Sequence, residues 1–354
     1  MQDAATLIVI PCLNEERHLP LLLAGLIADP TPARIVVADG GSSDNSRNVV
    51  AAFAARDVRV TLLDNPARIQ SAALNLAARQ FGEGVRWLIR VDAHGDYPPD
   101  YAARLVRAAE RQQADAVVVP MVSRGRGCFQ RGAAAAQNSV LGTGGSPHRH
   151  VGEGRYVDHG HHALIDLASF LAVGGYDQRL SHNEDAELDT RLRQRGARIW
   201  LEPGAAIVYY PRARPGALFR QYWSYGRGRA MTRAIHREPL HLRQIVPLAV
   251  PAASVLALAS PLFPAAVLPL TGWLAVCLLV GAVAMDDEKS PCARLSGVAA
   301  IIMHFAWGWG FVVQSLAGGW LTPRLRDGPC EAEPRESDDE RSVSAPSAIS
   351  PAGR

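Results

Sequence analysis

Two polar clusters about ninety residues apart carry the residue types that chemistry needs. Arg90-Val91-Asp92-Ala93-His94 follows an apolar, strand-like run, and His182-Asn183-Glu184-Asp185 opens a polar, helix-forming stretch. Side chains at i and i+2 past a strand point to the same side, so Asp92 and His94 can face one ion. Carboxylate oxygen suits Mg²⁺ or Mn²⁺, and imidazole suits Mn²⁺ better. Such an ion would neutralise a diphosphate leaving group. Asp96 is close enough to contribute. Glu184 and Asp185 lie where a helix N-terminus keeps a carboxylate ionised, ready to take a proton from an attacking hydroxyl. The same residues also suit plainer roles, a polar turn before Tyr97-Pro98-Pro99 and a first helical turn at Asn183 to Asp185. Read together, they point to a transferase that breaks a sugar–nucleotide bond.

Three further groups are candidates. Pro11-Cys12-Leu13-Asn14-Glu15 and Asp39-Gly40-Gly41-Ser42-Ser43-Asp44 each follow a strand pattern. A carboxylate in either place accepts hydrogen bonds from a uracil N–H or from ribose hydroxyls. Turn and cap chemistry accounts for each alone equally well. His159, His161 and His162 resemble a zinc site at first sight, but no fourth ligand is evident nearby. Contact with an acceptor or a phosphate is an equal reading. Gln221-Tyr222-Trp223-Ser224-Tyr225-Gly226-Arg227-Gly228-Arg229 mixes aromatics with arginines. Aromatic faces stack on sugars or uracil and Arg binds phosphate bidentately, although the same mixture anchors helices at membrane boundaries.

The elements that must position these groups are legible in the pattern. Over residues 6–125, strand-like runs (Thr6 to Ile10, Ile35 to Ala38, Val58 to Leu63, Trp87 to Val91, Ala116 to Val122) alternate with helical spacings at 16–28, after Asp44, and near 68–81 and 99–112. This predicts an α/β fold, a mostly parallel sheet covered by helices. Ligands then bind outside the carboxyl ends of the strands, where the polar segments fall. Residues 123–162, rich in Gly, Arg and His, read as a long loop or lid, and 163–210 returns to mixed structure. Residues 215–237 read as a helix lying along a membrane surface.

Composition narrows the class. The net charge of +3 is too small to imply nucleic acid binding. Residues 245–284 and 295–323 contain no Asp, Glu, Lys or Arg, and a bilayer span needs roughly 20 apolar residues. About three spans are expected, at 245–260, 264–284 and 295–319, within a membrane region 243–323 that follows a catalytic region 1–237. Arg212, Arg214, Arg220, Arg227, Arg229, Arg233, Arg237 and Arg243 precede the first span. By the positive-inside rule that flank is cytoplasmic, so the expected location is the inner membrane with the catalytic region in the cytoplasm. The five cysteines are odd in number and scattered, which argues against a disulfide framework and fits a reducing compartment. No signal peptide or internal repeat is expected. The acidic, Ser- and Pro-rich tail 324–354 reads as disordered.

In order, Ile10 to Glu16, Asp39 to Asp44, Arg90 to His94, Val173-Gly174-Gly175-Tyr176-Asp177, Asn183-Glu184-Asp185 and Gln221 to Arg229 resemble an inverting family 2 glycosyltransferase with the GT-A (nucleotide-diphospho-sugar transferase) fold, over roughly residues 5–235. Gly144 to Arg149 and Val157 to His162 make the chain similar to the succinoglycan-biosynthesis (ExoA-type) membrane enzymes of exopolysaccharide assembly. The resemblance implies a UDP-sugar donor (UDP-glucose first), a polyprenyl-diphosphate-linked sugar acceptor, membrane lipid and other exopolysaccharide assembly proteins as partners, and Mg²⁺ or Mn²⁺ as cofactor. It implies nucleotide-sugar contacts at Pro11, Asn14, Glu15, Asp39, Arg68 and Asp92, metal at Asp92 and His94, and Asp185 as base beside Glu184. His159, His161, His162, Gln221, Trp223 and Arg227 are the candidate acceptor or diphosphate contacts. Two departures stand out. Asp-Ala-His replaces the usual Asp-x-Asp, and Gln221-Tyr222-Trp223-Ser224-Tyr225 replaces Gln-x-x-Arg-Trp, which points to single addition rather than processive synthesis. The rival expectations are a polyprenyl-phosphate glycosyltransferase and an inactive, transferase-like membrane scaffold.

Overall fold

The computed structural model describes residues 5–149, 151–180, 182–237, 239–284 and 290–317. The tail expected to be disordered lies outside them. The first half alternates strand and helix: β1 (Thr6–Cys12), α1 (Leu19–Ala28), β2 (Ala33–Asp39), α2 (Ser46–Ala54), β3 (Val60–Asp64), α3 (Gln70–Phe81), β4 (Trp87–Arg90), α4 (Tyr101–Gln112) and β5 (Ala116–Val119). After Pro120 come β6 (Met121–Ser123), α5 (Cys128–Gln137), α6 (Val140–Thr143), β7 (Arg155–Tyr156) and β8 (His161–Asp166). Then follow α7 (Leu167–Ala172), α8 (Glu184–Gln194), β9 (Ile199–Leu201), β10 (Ile207–Tyr209) and the long α9 (Pro215–His236). The chain ends its described course in α10 (Leu242–Ala257), α11 (Leu268–Ala282) and α12 (Ser296–Leu316).

The main sheet has the order β3-β2-β1-β4-β8-β5-β9-β7. β3, β2, β1 and β4 are mutually parallel, with Cys12 opposite Asp39 at the carboxyl ends. β8 enters antiparallel between β4 and β5. The expected α/β sheet is therefore present and mixed. Continuous apolar runs such as Leu7 to Ile10 and Ile35 to Ala38 are wholly buried, because helices cover both faces of these central strands. One face packs Leu19, Leu23 and Leu105 against Ile8, Ile10 and Ile35, and the other packs Leu74, Phe170 and Leu188 against Leu7, Val9 and Leu88.

Two expectations change. Residues 123–162 are not one loop, since α5, α6 and β7 lie there. α5 is a small-residue helix whose Ala133 and Ala136 pack on Ala299, Ala300 and Met303 of α12. Its stability comes from that distant partner rather than from local propensity. The cysteines are also not all unpaired: Cys128 and Cys292, separated by 164 residues, form a disulfide, while Cys12 and Cys277 are free. Scattered spacing gave no sign of a pair joined across so long a loop.

Among the described residues two helical stretches are long and apolar enough to cross a membrane, Pro264–Ala282 and Pro291–Leu316. They overlap the second and third stretches expected as spans, by length and composition. The first falls on α10, a helix of 16 residues carrying Pro247 and Pro251, short of the roughly 20 that a bilayer needs. More than half of the Pro291–Leu316 window is buried inside the protein, against little of Pro264–Ala282. α12 sits so close to α9 that a Cβ at Gly226 would run into the Trp307 carbonyl and one at Gly310 into the Trp223 carbonyl.

Candidate active site

The carboxyl end of β4, the amino end of the antiparallel β8 and the start of α8 build one cleft. Arg90 is the last residue of β4, and its buried guanidinium joins the two acidic clusters of the sequence. Its Nε donates to Asp92 Oδ1 (3.1 Å) and its Nη1 to Asp185 Oδ1 (2.7 Å), with Glu184 Oε1 at 3.8 Å. Gln70 Nε2 also donates to Asp92 Oδ1, at 2.9 Å. Tyr97 pins the Asp92 backbone, since its hydroxyl accepts from the Asp92 N–H and donates to the Asp92 carbonyl. Among the described residues no side chain comes within hydrogen-bond distance of the second oxygen of either aspartate. Asp92 Oδ2 and Asp185 Oδ2 each face His161, at 3.8 Å from Nε2 and 3.7 Å from Nδ1. Those distances exceed a hydrogen bond, so each carboxylate keeps one edge for a ligand.

A relay of side chains backs Asp185. Tyr176 donates its hydroxyl to Asp185 Oδ1 (3.1 Å) and accepts from His162 Nδ1 (2.9 Å). His162 Nε2 donates to Asp189 Oδ1 (2.6 Å), and His159 Nδ1 and the Gly160 N–H donate to Asp189 Oδ2. The backbone of Tyr176 is clamped by Asn75, which accepts from its N–H and donates to its carbonyl, both at 2.8 Å. Gly175, at φ +73°, lies so near that a Cβ would collide with Asn75 Oδ1. Gly175→Ala is therefore expected to displace Tyr176, lower the catalytic rate at least tenfold and lower the melting temperature. Thermal denaturation and initial rates check both, and an alanine variant with both unchanged would show the clamp to be dispensable.

The charges follow from this packing. Burial would raise the Asp185 carboxyl, but Arg90 and the two histidines outweigh it and hold it well below the ordinary range. Burial is similarly outweighed at Asp92 by Arg90 and His161. Glu184 goes the other way, since burial and the adjacent Asp185 charge push it from 4.5 to about 7. Between those values the folded state holds a proton that the unfolded chain has lost, so this group makes the fold less stable as pH rises. Glu184→Gln should thus gain stability relative to the parent chain between about pH 5 and pH 8. Chemical denaturation across that range tests it, and a difference that does not vary with pH would count against it.

The remaining candidates divide. Asn14, at φ +58°, accepts from the Ser43 and Asp44 N–H groups and joins the two loops past β1 and β2. Asp39 is almost fully buried and saturated by the Gly41 and Ser42 N–H groups, the Ser42 hydroxyl and Arg47. Its visible work is to order this loop. Arg68 is exposed at φ +57° and lays its guanidinium over Gly41. Pro11 lies within β1. His94 turns its Nδ1 to Glu15 (3.3 Å), which also accepts from His18 (2.7 Å). Asp96, accepting from the Tyr210 hydroxyl, is tied to the strand side at Val208.

Of the histidine triplet, His161 lies between Asp92 and Asp185, and His162 also comes within 3.7 Å of Asp185 but is wholly buried; His159 turns to Asp189. Trp223 stacks on Phe219 and Arg227 Nε donates to Gln314 Oε1 of α12. Both belong to the α9–α12 contact rather than to the cleft. Gln221 bonds Tyr209 and Tyr225. Arg90, Gln70, Tyr97, Tyr176 and Asp189 were not singled out by type. Only Arg90 and Tyr176 stood inside a motif.

Among the described residues no group of three His, Cys, Asp or Glu is set to hold a metal ion. The donor chemistry nonetheless fits a divalent cation carried in by its ligand. Asp92 keeps one oxygen open and His94 is an exposed imidazole two residues on. Mg²⁺ is commonly held by one or two protein donors plus substrate phosphates.

Residues 7–168 match the family described as Glycosyl transferase family 2. The chain is 49% identical over 313 residues to the succinoglycan biosynthesis protein ExoA of Rhizobium meliloti (strain 1021), covering 88% of this chain and 95% of that protein. It is 30% identical over 108 residues to the polyprenol monophosphomannose synthase of Mycolicibacterium smegmatis (strain ATCC 700084 / mc(2)155), covering 30% of this chain and 41% of that one. Among solved structures, the mannosyltransferase PcManGT from Pyrobaculum calidifontis, in complex with GDP-Man and Mn2+, superposes with a TM-score of 0.56 at 19% identity, over 85% of this chain and 86% of that one. That likeness is one of fold, GT-A.

Proposed function

The chain belongs to glycosyl transferase family 2, and from that membership we propose that it moves a sugar from a UDP-sugar, UDP-glucose first, to a lipid-linked saccharide, with inversion, in exopolysaccharide assembly. The observation that carries the proposal is the placement of Asp92 and Asp185 in one cleft on one arginine, each with an oxygen left open. The near full-length relative named for succinoglycan biosynthesis supports the pathway class.

In this reading the nucleoside lies past β1 and β2, between the Asn14–Glu15 loop and the Asp39 loop, with Arg68 toward the diphosphate. Asp185 Oδ2 takes the proton of the acceptor hydroxyl as its oxygen attacks the anomeric carbon from the side opposite UDP. Arg90 and Tyr176 hold Oδ1, so the open oxygen has one orientation. Alignment of two reactants can remove roughly 7–11 kcal/mol of barrier. A cation bound to Asp92 and His94 would supply charge neutralisation for the departing diphosphate.

α11 and α12 anchor the protein in the inner membrane with the catalytic region on the cytoplasmic face, as the arginines before α10 favour. The exposed apolar residues Leu268, Leu279 and Val283 of this segment suit a lipid environment. A second reading has a polyprenyl phosphate as acceptor, which needs little deprotonation. It is favoured by the partial likeness to a polyprenol monophosphomannose synthase and to an undecaprenyl-phosphate 4-deoxy-4-formamido-L-arabinose transferase of Serratia proteamaculans (strain 568). Membrane fractions given a panel of nucleotide sugars test the first reading. UDP release dependent on a saccharide-bearing lipid supports it, and a product that mass spectrometry identifies as a polyprenyl monophosphate sugar overturns it in favour of the second.

A further inference from the structure

Near the carboxylate cleft two buried polar atoms, one of an arginine and one of a glutamine, meet no partner among the described residues. Arg149 ends the short turn Pro147–Arg149. Its guanidinium lies over the Tyr209 ring, 5.6 Å from the centroid. Its Nη1 is buried and meets no hydrogen-bond acceptor among the described residues. Gln221 meets the same tyrosine: its Nε2 donates to the Tyr209 hydroxyl (2.8 Å) and the Tyr225 hydroxyl (3.0 Å). Its Oε1 is likewise buried and unpartnered. Arg243, near the start of α10, closes on Gly144 so tightly that a Cβ there would clash with it. Leaving a buried guanidinium nitrogen and a buried amide oxygen unbonded costs free energy that an arriving ligand can recover.

The neighbourhood says what kind of ligand. Tyr225 links these groups to the carboxylate cleft: its hydroxyl accepts from Gln221, its carbonyl accepts from Asn183 Nδ2 (2.6 Å), and its ring lies edge-on to His182 (6.0 Å), just before Glu184 and Asp185. The half-buried His148 has its imidazole pushed toward the neutral form by burial and by the neighbouring His159, with Arg149, His161 and Arg243 acting in the same direction. On the far side, Leu242, Ile245 and Val246 of α10 leave large apolar side chains exposed directly beside Arg243. A ligand here meets cations and an unpaired acceptor at one end and apolar surface at the other. We propose that Arg149, with Arg243, binds the diphosphate of a lipid-linked acceptor while Gln221 Oε1 takes a hydroxyl of its first sugar, which aims that sugar at Asp185. The inference rests on the lipid-acceptor reading above and adds the residues that would recognise it.

The test uses the full chain in detergent micelles and compares undecaprenyl diphosphate, phosphatidylglycerol and inorganic pyrophosphate as probes, with UDP as a control for the donor site. The parent chain is expected to bind undecaprenyl diphosphate in preference to phosphatidylglycerol. Arg149→Gln should weaken that binding roughly tenfold or more, as loss of a charge-assisted pair predicts, and Arg149→Lys should recover part of it. UDP affinity should stay unchanged in both, which also shows that the variants fold. Arg243→Gln gives an independent second reading with a smaller loss in the same direction. Equal binding of undecaprenyl diphosphate by the parent and Arg149→Gln overturns the assignment of this arginine and leaves the lipid-acceptor reading standing. Failure of the parent chain to bind undecaprenyl diphosphate overturns both. Equal affinity for all three anions, lost together in Arg149→Gln, overturns the acceptor role in favour of a general anion site.

Discussion

Asp185→Asn is expected to lower sugar transfer by roughly a hundredfold to ten-thousandfold while leaving UDP-sugar affinity nearly unchanged. The asparagine keeps the shape of the side chain and can still accept from Arg90 Nη1 and Tyr176 through its amide oxygen. It has no open lone pair basic enough to take the acceptor proton. The loss should therefore fall on kcat rather than on KM for the donor. Donor binding is tested apart from turnover by titration calorimetry with UDP. A variant that turns over at the parent rate would remove Asp185 from the role of base. A variant that loses donor binding as well would show that the carboxylate holds the nucleotide sugar instead.

Arg90→Gln should have the largest effect on the molecule as a whole. Arg90 is buried, 7% exposed, and its two closest charges, Asp92 and Asp185, are themselves mostly covered. Removing one member of a buried ionic group leaves the others uncompensated and costs about 3–5 kcal/mol. The variant should unfold at much lower denaturant concentration and show no transfer. Arg90→Lys should restore part of the stability but little activity, because an ammonium cannot fork between Asp92 Oδ1 and Asp185 Oδ1 as a guanidinium does. Adding Asp92→Asn to Arg90→Gln should recover some stability by removing one stranded charge. An Arg90→Gln variant as stable as the parent would mean that water or a counter-ion already screens these carboxylates.

The sheet was readable from the chain because its strands are buried on both faces and appear as unbroken apolar runs, with polar residues bunched where the strands end. Asp92 could be placed from that, since its motif lies at such an end; Asp185 was found instead as the opening of a polar helix. What joins them was not readable. Arg90 reads as the last polar residue of a strand, and only the fold shows its guanidinium reaching a helix ninety-five positions away. The histidine triplet misled for a related reason. On β8 successive side chains alternate sides, so His161 faces the cleft while His162 turns into the core toward Asp189. Sequence spacing carries that alternation, but not which side is the cleft. Trp223 and Arg227 looked like ligand contacts because aromatics and arginines serve sugars, membranes and helix packing alike. On α9 the deciding neighbours are Gly310 and Gln314 of α12, some eighty residues later. The helix α5 and the Cys128–Cys292 pair were hidden in the same way, each depending on a partner in the C-terminal helices.

One displacement by one base, in a cleft shared by Asp92 and Asp185, is the central step of the proposed reaction. The anomeric configuration of the newly formed linkage, read from the proton coupling of the purified product made from an α-linked UDP-sugar, tests it most directly. A β linkage with UDP as the co-product is the expected result. An α linkage, or release of UMP, would contradict it.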